Sequence, residues 1–167
     1  MASMRNGCGD EWWIVFHESG WAALKGLGHE SPAWSKGREA LSAALQAGFP
    51  AELADFASEP AFCWDTTSFA AYRRPSDAGW IWPKDGTGHA HDHGGETELL
   101  ALLTGSPEDY ATYAADYFEV DLPLAIVEAI FDLAPITPEI VGLLNPEASW
   151  EEIEDPLHGE IGYPRAV

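Results

Sequence analysis

The feature that most constrains this chain is where its charge lies. Residues 85–167 hold 18 acidic side chains and a single base, Arg165, so −17 of the net −20 falls in that half. The first 84 residues carry ten acids and seven bases. Charge this dense opposes compaction through self-repulsion, yet it favours solubility and fast encounter with a cationic partner. The same half carries the clearest helix signals. Any fold for this chain must therefore display a strongly acidic surface. That surface serves solubility or salt adaptation on one reading, and docking onto a basic protein on the other.

The chain is nonetheless built to fold. Apolar residues make up 46 % and aromatics 12 % of its 167 residues, which places it outside the disordered class. Eight tryptophans supply large anchors that need both apolar packing and an N–H partner. Two cysteines, Cys8 and Cys63, make no disulfide framework, and reduced thiols are expected. The N-terminus lacks the apolar core of a secretory signal, and no run approaches the ~18 apolar residues of a membrane span. The expectation is a cytoplasmic protein. Its negative charge opposes direct contact with nucleic acid or anionic lipid.

Local signals predict the elements. Residues 1–9 read as a loose lead-in. Trp12-Trp13-Ile14-Val15-Phe16 reads as a strand, with a helical alternative running on through residues 19–24 and weakened by Gly20, Gly26 and Gly28. Ser31-Pro32 opens a helix whose inner face is Trp34, Leu41, Ala44 and Leu45, with Gly48 as its stop. A short helix follows Phe49-Pro50, with Leu53 and Phe56 inward. Residues 61–64 and 68–72 suggest a hairpin, and Trp80 and Trp82 share a face of a further extended piece. Residues 84–95 form a Gly- and His-rich loop. Helices are then expected after Ser106-Pro107, after Asp121 as a cap with Ile126, Val127, Ile130, Leu133 and Ala134 on its core side, and after Thr137-Pro138. In the acidic tail, residues 147–167, Ser149 and Glu152 have capping-box spacing for one helical turn before a loop. The expected fold is a mainly α (α+β) single compact helical domain, with a few short strands in its N-terminal half.

Three features bear on chemistry. His89, His91 and His93 alternate in the glycine-rich loop, where imidazoles can converge on a divalent transition metal and Glu96 can add an oxygen. His89-x-His91 with Glu96 resembles the first metal motif of cupins and a shortened metallo-β-lactamase motif, but the chain lacks the second motif that cupins need and the distant ligands of the hydrolases. An adventitious, exposed metal binder is the reading this composition favours. Nucleophilic catalysis finds no glycine-framed elbow, and Cys63, inside an aromatic run, reads as a buried small hydrophobe. No phosphate-binding glycine signature occurs.

The third feature is the acidic face. Asp109, Asp116, Glu119, Asp121, Glu128 and Asp132 are placed to project from successive helices, and Glu151, Glu152, Glu154 and Asp155 cluster beside Trp150. Acids steer encounter and buried aromatics hold a complex, which is the chemistry of a protein that covers a basic cleft. In size, acidity and aromatic content the chain resembles immunity proteins and antitoxins as a class, although no motif matches a named family. The expected function is thus non-enzymatic: an acidic inhibitor with a basic protein partner such as a toxin or nuclease, needing no cofactor. The alternative is a small metal-dependent enzyme built on His89, His91 and His93.

Overall fold

Four strands, β1 (Ala2–Arg5), β2 (Glu11–Phe16), β3 (Ala22–Leu27) and β4 (Phe69–Arg73), form one antiparallel sheet in the order β1-β2-β3-β4. The computed structural model describes residues 1–84 and 94–165. The chain divides into two compact units, Met1–Ala101 and Leu102–Val167.

In the first unit both faces of the sheet are covered. On one face Trp13, Val15, Ala23, Ala70 and Tyr72 meet Leu41 and Leu45 of helix α1 (Pro32–Ala47), together with Leu53, Phe56, Phe62 and Trp64. On the other, Trp12, Ile14, Leu24, Phe69 and Ala71 pack with Met4, Trp82, Leu99 and Leu100. Strand alternation produces this division directly, because neighbouring side chains leave a strand on opposite faces. Helix α1 begins as its sequence signals require: Ser31 Oγ accepts from the Trp34 N–H at 3.3 Å, Pro32 takes the first position, and Gly48 caps the end. Gly37 departs from helical geometry and kinks the helix. A 3₁₀ turn and the short α2 (Ala54–Ser58) then insert Leu53 and Phe56 into the core.

Two single-turn helices, α3 (Glu96–Leu99) and α4 (Ala101–Thr104), precede the helices of the second unit. These are α5 (Pro107–Phe118), α6 (Leu124–Phe131), α7 (Pro138–Leu144) and α8 (Trp150–Asp155), the last running into a π-helical turn over Pro156–Glu160. The start of α5 is a complete capping box, and Thr137 Oγ1 accepts from the Ile140 N–H to start α7.

The structure corrects the expected fold class. A four-stranded antiparallel sheet organises the first unit, so the chain is mixed α and β and not a mainly α helical domain. The misreading centres on β3, Ala-Ala-Leu-Lys-Gly-Leu, which has no β-branched residue and is packed on both faces, so it shows neither strand propensity nor alternation. Other local expectations fail for related reasons. Residues 2–5, expected loose, are tied to β2 in register, with Met4 opposite Trp12. The partner of residues 69–73 is β3, while residues 60–66 form 3₁₀ turns, so the hairpin does not exist. Pro123, not Asp121, occupies the N-cap of α6. Ser149 makes no capping hydrogen bond and donates instead to Glu151 at 2.6 Å.

Candidate functional site

The second unit concentrates the acidity. Leu102–Val167 carries 14 acids against Arg165 alone. Among the described residues its buried apolar side chains are few: Ala114, Val127, Val141 and Leu157. Large apolar side chains stay at the surface instead. Tyr117 is 53 % exposed, Phe118 55 %, Phe131 44 % and Leu133 58 %.

Of these, Phe118 and Phe131 line a groove of about 440 Å³. Tyr110, Ala114 and Phe118 line it from α5, and Val127, Ile130 and Phe131 from α6. Val120 and Leu122 contribute from the connection and Leu144 from the end of α7. The spacing 110, 114, 118 is one face of a helix, so the wall is continuous along α5. Aromatic contacts stiffen it: Tyr110 and Phe131 have ring centroids 6.4 Å apart, Tyr113 stacks on Tyr117 at 5.2 Å, and Phe118 meets Tyr117 edge-on at 4.9 Å.

The acids expected at a partner face divide into two sets. Asp116, Glu119, Asp121, Glu128 and Asp132 are all exposed, and each lies beside or within two residues of a groove-lining residue in the chain. Among the described residues none of the five makes an ion pair. Asp109 differs, because its carboxylate accepts the Ser106 N–H at 2.7 Å. That backbone bond, with the Ser106 side chain, holds its pKa below the usual carboxylate value. Asp109 is first of all a helix cap.

The tail set sits on α8 and is partly engaged. Glu151 accepts from Ser149, and Glu154 lies 3.9 Å from Arg165. Trp150 is half-buried with its ring edge-on to His158 at 6.2 Å, while Glu152 and Asp155 are exposed. Tyr163 ties the end of the described chain to the turn that follows α6 by donating to the Ala134 carbonyl at 2.8 Å. Sequence reading missed the groove itself. Ile126, Val127, Ile130, Leu133 and Ala134 read as a core stripe, yet of these only Val127 is buried.

The remaining chemical candidates resolve as follows. His89, His91 and His93 lie outside the described residues. Among the described residues no group of three or more His, Cys, Asp or Glu side chains is placed to hold a metal ion. Cys8 and Cys63 are free and exposed; Cys63 sits in a left-handed turn (φ 47°) and is not the buried hydrophobe its aromatic neighbours suggested. Lys25 is wholly buried, with Nζ 3.1 Å from Glu11 Oε1 and in reach of the Thr66 carbonyl at 3.3 Å. Burial lowers its pKa despite the opposing pull of Glu11. Sealed from solvent, this amine is a structural group and not a nucleophile. Asp10 and His29 form a 2.8 Å pair, which Asn6 supports by donating to the other carboxylate oxygen at 2.7 Å.

No helix among the described residues is long and apolar enough to cross a membrane. No family model, curated protein or solved structure matches the chain.

Proposed function

We propose that this chain is an acidic binding protein of the inhibitor kind, which docks onto a basic surface of a partner protein such as a toxin or nuclease. The observation that supports this most is the coincidence, within one unit, of unpaired acids and exposed aromatic side chains. Solubility explains the acids but not the aromatics. Exposed apolar patches rimmed by polar groups mark interaction sites, and a protein under pressure only for solubility would not keep them. A protein interface uses both: charge sets the on-rate and buried aromatics slow release.

The test is capture from the source organism's extract at about 50 mM and about 500 mM salt. The bait is compared with a variant carrying Asp116→Asn, Glu119→Gln, Asp121→Asn, Glu128→Gln and Asp132→Asn. A basic protein held by the wild type at low salt, released at high salt and lost by the variant is the expected result. Enrichment that ignores both salt and variant would overturn the proposal. The alternative, a metal-dependent enzyme using His89, His91 and His93, predicts about one tightly held metal ion per chain, lost when all three become alanine.

A further inference from the structure

The groove between α5 and α6 defines the shape of its occupant. We infer that it receives a basic amphipathic helix presented by the partner protein. This rests on the docking reading above and names the site and the form of the ligand. The groove floor is apolar and belongs to helices, with Ala114 and Val127 buried at its base and Phe118 and Phe131 open at its edges. Its α5 wall is 12 residues long. At 1.5 Å per residue that is ~18 Å, the length of about three turns of a partner helix. Helix-in-groove recognition uses apolar anchors spaced i, i+3/i+4 and i+7, which fits a floor of this length.

Charge selects among occupants. Glu119 and Asp121 alternate with the lining residues Phe118, Val120 and Leu122, and Glu128 and Asp132 directly follow lining residues of α6, so lysines and arginines on the outer faces of an incoming helix meet carboxylates, whereas Asp116 falls on the far side of α5. A second copy of this unit brings 14 acids and one base to the same place, and like charges oppose that pairing. The chain's own adjacent bases, Arg73 and Arg74, lie at the end of β4, where Arg74 is held by Asp77 at 2.9 Å.

The test uses the full chain and two labelled peptides of about 14 residues. Both have the same lysine, arginine, leucine and phenylalanine content. One places the apolar residues on a single helical face; the other is scrambled to destroy that face. Anisotropy and circular dichroism follow binding and helix formation. The expected result is saturable one-to-one binding of the first peptide with gained helicity, about tenfold or more tighter than the scrambled one. The double variant F118S/F131S should erase that preference. If it fails to fold, Val120→Lys, at a position 38 % exposed, gives the same reading by putting a cation into the groove's edge. Equal binding of the two peptides would overturn the groove while leaving acid-driven docking in place. No binding of either peptide at about 20 mM salt would do the same if the capture experiment still depends on the acids. A dimer that protects the groove from exchange would assign it to a second copy and sink the inference. Loss of acid dependence in capture would instead bring down the underlying docking reading.

Discussion

Thr67 is wholly buried, and its Oγ1 has no hydrogen-bond partner, although its N–H donates to Ser42 Oγ at 3.2 Å. A buried, unmatched hydroxyl has lost water without compensation. Thr67→Val keeps the shape and the β-branch and removes the penalty, so the variant is expected to be more stable by about 1 kcal/mol. Urea unfolding measures this, and a loss of stability would show that the hydroxyl is bonded in solution. The Asp10–His29 pair makes a prediction in pH. The hydrogen bond that His29 donates to the Asp10 carboxylate raises the His29 pKa above 6.5, against a smaller opposing effect of desolvation. For Asp10, burial pushes upward, but the bonds from His29 and Asn6 together bring its pKa below 3.8. His29 therefore contributes stability in full below 6.5, which is lost as pH rises through its raised value. Asp10 contributes above 3.8 and loses it as pH falls through its depressed value. The tie is strongest between those limits. Asp10→Asn should return the His29 titration, followed by NMR, towards 6.5 and flatten the dependence of melting temperature on pH across neutrality.

Within the sheet, Gly26 of β3 stands opposite Phe69 of β4, and the Phe69 ring lies where a Gly26 side chain would be. The ring covers the glycine backbone and fills the gap it leaves. Gly26→Ala drives a methyl into that ring, which is 3 % exposed and already packed against Trp12 and Leu24. The expected destabilisation is about 1–3 kcal/mol, and Gly26→Ala/Phe69→Leu should recover part of it in a double-mutant cycle. An unaffected single variant would mean that the ring moves freely. This glycine also shows why elements were unevenly legible. Helices α1, α5 and α7 announced themselves, because caps and prolines act locally and their hydrogen bonds form within three residues. Strand β3 was hidden, because its glycine and alanines are matched to Phe69, Tyr72 and Arg73 more than forty residues away. Cross-strand packing decides such a strand, and a window of sequence does not contain it.

Across the whole chain the acidic half of the candidate site was legible and the apolar half was not. Composition places the carboxylates directly, whereas Leu133 reads as core until the helices are assembled and leave it exposed. The same imbalance sets the last prediction. In Met1–Ala101 sixteen apolar residues are buried among the described residues, fifteen of them in two clusters across a sheet; in Leu102–Val167 there are four. The second unit thus has the smaller apolar gain on folding and carries 14 acids against one base. Self-repulsion weighs most on this unit, and it acts over distances that salt screens. Raising sodium chloride from about 10 mM to about 500 mM shortens the Debye length from about 30 Å to under 10 Å. Amide exchange in α5 and α6 should then slow by about tenfold, roughly 1.4 kcal/mol of opening free energy, while amides of β2 and β3 change much less. Choline chloride should act like sodium chloride, because screening depends on ionic strength and not on a bound cation. A response to sodium alone would point to a specific ion site, and equal slowing in both units would show that repulsion is not confined to the acidic one.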